Sequence, residues 1–294
     1  MEEASYLRLA EHLDRLPGGF APSETGADIR LLRRLFTPEE SELATHLTLD
    51  REEAGVIAGR AGLPLAEAER RLEEMSEKGL IFSVQEEDGT MLYQAAPFIV
   101  GIYEFQVNRL SEGLLQDLDD FWSTKKPRSK IETIPQLRTI PVGESIDPPT
   151  VALPYEQVYE LVNAHDRFAV APCICRRKEK KMGRGCDAPE EACLMFGDFA
   201  DFYVRIGNAR YIEKSEVMEI LAVADKANLI LQPSTSKVIE FICCCCVCCC
   251  GVLGWLDKIP KPSEAVLSSF IASFDGVLPG LWGVSGAVSD EGDH

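Results

Sequence analysis

The chain has 294 residues, 46% of them apolar, and carries 48 Asp and Glu against 30 Lys and Arg, a formal charge of −18. That length allows two domains with ordinary cores, and the apolar share excludes wholesale disorder. The acidic balance argues against a protein that coats nucleic acid, because phosphate contacts need clustered Lys and Arg.

Residues 1–27 read as an N-terminal arm. Its opening, MEEASYLRLAEHLDRL, carries acids early and lacks the uncharged stretch of a secretory signal, which points to the cytoplasm. Residues 28–95 are charged, helical in period and free of cysteine. Ile29, Leu32 and Leu35, then Leu43 and Leu47, then Val56 and Ile57 follow helical spacing. Pro38 after Thr37 suits the first position of a helix, and LPLAEAERRLEEMSEKGL predicts another, stopped by Gly79. Two short strands fit LIFSV and MLYQA, split by the turn EEDGT. This order spells a winged helix-turn-helix over 28–95. DNA binding is disfavoured: Asp28 to Asp88 holds 15 acids and 8 bases, and the would-be recognition helix carries Glu67, Glu69, Glu73, Glu74 and Glu77.

Residues 96–150 hold an amphipathic helix, with Leu110, Leu114, Leu115 and Leu118 on one face, and then a connector rich in proline (Pro127, Pro135, Pro141, Pro148, Pro149). Residues 151–260 form a second domain, with helices near Tyr155–Ala164 and Ser215–Ala227. Residues 261–294 read as a tail frayed at its end. Phe241 to Leu256 is uncharged for sixteen residues, short of the roughly 20 a bilayer span needs. No membrane segment is expected.

All eleven cysteines lie between Cys173 and Cys250. The odd count and the absence of an export signal disfavour disulfides and favour metal ligation. The first group is Cys173, Cys175, Cys186 and Cys193, a spacing that can close around one tetrahedral centre, either Zn or a [4Fe–4S] cubane. The second is a run, Cys243 to Cys246 and Cys248 to Cys250, too dense to be buried filler. Zn is satisfied by four ligands, whereas thiolate-rich sites also suit Fe–S clusters and Cu(I). Arg176, Arg177, Lys178, Lys180, Lys181 and Arg184 form a cationic loop between Cys175 and Cys186, opposed there only by Glu179. Cations beside an anionic cluster stabilise its thiolates, so these six are candidate cofactor-binding residues; a solvated loop or a docking patch for an acidic partner is the alternative. Gly183 and Gly185 supply slack before Cys186. His165 reads as a helix-end histidine rather than a ligand. No nucleotide-binding loop or hydrolase motif is present.

These residues resemble anaerobic 4Fe–4S ferredoxin-type proteins that carry an N-terminal winged helix and a cysteine-rich middle. The similar segments are PFIVGIYEFQ (97–106), LPYEQV (153–158), APCICR (171–176), CDAPEEACLMFG (186–197), GNARYI (207–212), ICCCCVCCCG (242–251) and KIPKPSEAVLSSFIASFD (258–275). The family's run reads C-N-C-C-G-C-C-C, which maps onto Cys243, Cys245, Cys246, Cys248, Cys249 and Cys250. Cys244 stands in place of Asn and Val247 in place of Gly, so Cys244 is the surplus thiol. The dicluster ferredoxin module that follows in relatives is missing: GVLPGLWGVSGAVSDEGDH contains no cysteine. Another subunit or a homodimer would have to complete any relay.

The expected fold is α+β and α-rich, a winged helix-turn-helix followed by a cysteine-rich iron–sulfur domain. One [4Fe–4S] cluster is expected on Cys173, Cys175, Cys186 and Cys193. At least one further Fe–S centre is expected on the 243–250 run, a non-standard cluster because adjacent thiols cannot easily spread round one cubane, unless the two motifs share ligands. The function expected is electron transfer or storage for a partner oxidoreductase, without catalysis of its own. The alternatives are a DNA-binding regulator that senses oxygen through its cluster, and a zinc-stabilised interaction scaffold.

Overall fold

The computed structural model describes residues 2–124, 136–138, 140 and 158–256. The molecule is a mixture of helix and sheet, and its first element is a helix where the sequence suggests only an N-terminal arm. In α1 (Glu2–Arg15), Tyr6, Leu9 and Leu13 recur at helical spacing and are buried. The Tyr6 hydroxyl donates to the Phe36 carbonyl at 3.0 Å, just past α2 (Ala27–Leu35). Helix α3 (Pro38–Ala44) starts where Thr37 and Pro38 direct it: the Thr37 side chain accepts from the Glu40 amide, and Glu40 returns the bond to the Thr37 amide.

A two-residue strand β1 (Glu52–Glu53) leads into α4 (Ala54–Ala61) and α5 (Leu65–Glu77). Gly79 ends α5 with φ +68°, and a Cβ there would sit 2.6 Å from that of Phe105, so glycine is required twice over. The hairpin of β2 (Phe82–Gln85) and β3 (Met91–Gln94) follows, and β1 pairs with the far edge of β3 to give the order β1-β3-β2. After tight turns over 98–106, α6 (Glu112–Thr124) buries Leu114, Leu115, Leu118 and Phe121.

The second half is built on a five-stranded antiparallel sheet in the order β6-β4-β5-β8-β7. Its strands are β4 (Phe168–Pro172), β5 (Glu191–Phe196), β6 (Arg210–Ile212), β7 (Ile230–Pro233) and β8 (Phe241–Cys245). Helix α7 (Val158–Asn163) precedes them, α8 (Ile174–Lys181), α9 (Gly197–Arg205) and α10 (Lys214–Lys226) lie between them, and α11 (Gly251–Leu256) follows. Side chains alternate across the sheet. Val170, Leu194, Ile242 and Cys244 pack with α7 and α10, while Ala169, Ala171, Cys193, Met195 and Phe241 face the N-terminal half.

That second face shares one continuous core with α1 to α6. Phe82 packs against Phe202 of α9 with ring centroids 4.8 Å apart and planes inclined by 56°, and Arg205 donates to the Ser83 carbonyl at 2.8 Å. Of the Pro-rich connector, Leu137 and Ile140 bridge to Ser234 and Leu231 beside and within β7. Its remaining part beyond α6, the start of the helix expected at Tyr155, and the 261–294 tail lie outside the described residues. Among the described residues, no helix is long and apolar enough to cross a membrane.

Candidate metal centre

The thiols converge because three neighbouring strands deliver them to one end of the sheet. Cys173 follows the last residue of β4 and Cys193 lies in β5, directly opposite Cys243 of β8 in the antiparallel register. Two residues on, Cys245 returns to the same face as Cys243. Cys175 sits in the first turn of α8, and Cys250 immediately precedes α11.

These six form a closed ring, each thiol beside two others, in the order Cys173, Cys175, Cys250, Cys245, Cys243, Cys193 and back to Cys173. Hydrogen bonds from Cys175 and Cys193 hold the Cys173 thiol well below its ordinary range, and Cys243 and Cys250 lower Cys245 to about 6. Those two lie opposite one another on the ring, so its negative charges are kept apart. Tyr103 points its hydroxyl at Cys175 Sγ from 3.8 Å, and Gln232 its amide at Cys250 Sγ from 3.9 Å. Glu104 lines the same cavity, and burial raises its carboxyl to about 8. Water held at non-bonded distance from sulfur finds about 40 Å³ inside. A metal bonded to thiolate at about 2.3 Å lies closer to each sulfur than water does, and a donor set of sulfur alone suits a soft, thiolate-loving metal centre.

A second group lies outside the ring. Cys186, Cys246, Cys248 and Cys249 bring their Sγ atoms within 4.8 Å of one another, a set that can hold a metal ion. Cys186 is 3.8 Å from Cys246 and 3.7 Å from Cys249, and Cys248 is 3.7 Å from Cys249. Cys248 is exposed, so this group borders solvent. Its base is Gly185, where a Cβ would meet the Lys180 Cα at 2.7 Å; glycine lets the chain cross α8 and reach the loop 246–249. No described cysteine is in a disulfide.

The structure therefore divides the ten expected ligands differently from the two sequence segments. Cys173, Cys175 and Cys193 join Cys243, Cys245 and Cys250, while Cys186 leaves its sequence neighbours for Cys246, Cys248 and Cys249. Cys244 belongs to neither group: it faces α7 and α10, and burial pushes its thiol up to about 12.

The expected cationic loop is in fact mostly helix α8, and its bases are largely engaged by acids distant in sequence. Lys178 and Arg184 pair with Asp119 at 3.1 and 2.5 Å, and Arg177 with Glu190 at 2.6 Å. Lys180 is exposed, and Lys181 reaches only the Leu110 carbonyl, at 3.5 Å. Arg176 alone lies between the two thiol groups. Its guanidinium donates to the Pro189 and Cys244 carbonyls at 2.7 and 2.6 Å. Burial works against its charge, but the sulfurs of Cys173, Cys246 and Cys193 more than offset this and raise its affinity for the proton. His165 is no ligand here: it ends α7 with its ring 5.0 Å from that of Phe196.

Sequence reasoning missed Tyr103, Glu104 and Gln232. The first two fall inside PFIVGIYEFQ, one of the segments that carried the family resemblance, so a signal existed at the site without a role attached. Searches against protein-family models, curated proteins and solved structures find no match for this chain.

Proposed function

We propose that this protein is an iron–sulfur electron carrier, with its cluster held by the inner ring of Cys173, Cys175, Cys193, Cys243, Cys245 and Cys250. The observation that carries the reading is the closed ring of six thiols, every one of which lines a single cavity that no histidine lines. The six thiolates would hold such a cluster, which would supply one-electron chemistry, accepting an electron from a reduced partner protein and passing it to an acceptor oxidoreductase. The Arg176 cation would favour the reduced form by offsetting the added negative charge, whereas burial would oppose it.

The N-terminal half supports a winged helix in a scaffolding role. Its order of α3, β1, α4, α5 and a two-stranded hairpin is that of the motif. However, α5 exposes Glu69, Glu73 and Glu77 in one stripe and spends Arg70 and Arg71 on Glu74 and Glu67. Such a face repels phosphate. Anaerobic purification followed by iron and acid-labile sulfide analysis, with electron paramagnetic resonance after dithionite reduction, tests the reading. A brown protein with iron and sulfide in equal amounts and a reducible signal is expected; a colourless protein without sulfide refutes it.

A further inference from the structure

The spacing of the sulfurs distinguishes the two thiol groups. Four thiolates bound tetrahedrally to one ion at about 2.3 Å stand about 3.8 Å from each other, the edge of that tetrahedron. A cubane interposes its own core, and the four thiolates at its corners stand roughly 6 Å apart. In the outer group three of the separations are 3.7, 3.7 and 3.8 Å, and all four sulfurs lie within 4.8 Å of one another. Among the described residues, no three sulfurs of the inner ring meet that criterion.

From this we infer that Cys186, Cys246, Cys248 and Cys249 bind a single Zn²⁺ ion, so the chain carries a zinc site beside the iron–sulfur centre of the inner ring. The assignment rests on the proposed function for the inner ring only. Zinc fits the outer position chemically: it takes four thiolates, has no redox state to lose and tolerates the solvent that reaches Cys248. The ion also has a structural task. Cys246 and Cys249 are the immediate neighbours of Cys245 and Cys250, so fixing the first pair on zinc fixes the backbone that delivers the second pair to the ring. Zinc is thereby a positioning element for the cluster.

The experiment uses the full chain, produced anaerobically with both iron and zinc supplied, and measures metals per chain together with zinc-edge X-ray absorption. One zinc per chain is expected, with four sulfur neighbours at about 2.3 Å. Cys186→Ser and Cys248→Ser should each lose most of the zinc while at first retaining iron and sulfide, and should then release iron to a chelator several-fold faster than the unaltered protein. Paired substitution Cys173→Ser with Cys193→Ser should do the reverse, losing iron and keeping zinc. Replacing the zinc with Co²⁺ should give the visible bands of a tetrahedral thiolate site. The assignment is overturned if Cys186→Ser and Cys248→Ser remove iron and sulfide instead of zinc, or if the zinc that is present has nitrogen or oxygen neighbours. A chain with zinc in four sulfurs and no iron anywhere would sustain this inference and refute the electron-carrier reading.

Discussion

Neighbouring cysteines in this chain differ more from one another than distant ones do. Cys244 lies between two ring members, yet it points through the sheet into the core with α7 and α10, because alternation along β8 leaves it no choice. Cys244→Ala should therefore leave iron, sulfide and zinc contents unchanged and lower stability by about 1 kcal/mol, the value of a small buried group, as read from a denaturant midpoint. Loss of metal in this variant would show that Cys244 is a ligand. The surplus of Cys244 was legible in the sequence through the family pattern that has Asn at its position. The partition of the others was not, because it depends on which face of a strand and which side of a loop each thiol takes. Arg176 illustrates the same limit: sequence marked six bases as equivalent, and only burial between the two thiol groups singles out this one.

At the scale of elements, the signals that held were those with a local physical cause. Thr37 and Pro38 start α3 with a capping box, and Gly79 stops α5. Gly79→Ala should cost roughly 2–5 kcal/mol, adding left-handed backbone strain to a clash with Phe105; a variant with an unchanged melting temperature would contradict the geometry described for that turn. The signals that failed were those that needed tertiary partners. Helix α1 reads as an acidic arm until its Tyr6, Leu9 and Leu13 stripe meets the core. Likewise α8 reads in sequence as part of a cationic loop; Asp119 and Glu190, distant in sequence, pair with Lys178 and Arg177 and offset the repulsion among its bases.

Over the whole molecule, sequence composition suggests two units, and the described residues contain two chain segments sharing one core. Tyr6, Leu72, Phe105, Phe202 and Phe241 all belong to the same buried cluster. Unfolding of the metal-free protein should accordingly be a single transition, with far-ultraviolet circular dichroism and tryptophan fluorescence giving the same midpoint. Two well-separated midpoints would mean that the N-terminal half and the cysteine sheet are independent after all.

The loop that closes β8 carries a consequence for how this gene can change. Cys245 and Cys250 turn inward while Cys246, Cys248 and Cys249 turn outward, so one short segment serves two sites at once. Deleting or inserting a single codon there would hand each later thiol to the wrong side and break up both thiol groups in one event. Point substitutions at Cys244 or the exposed Val247 escape that penalty, since neither supplies a sulfur to either group. Length is therefore the constrained property of this segment, and its density of cysteine is what a fixed length demands when it must furnish five thiols in two directions.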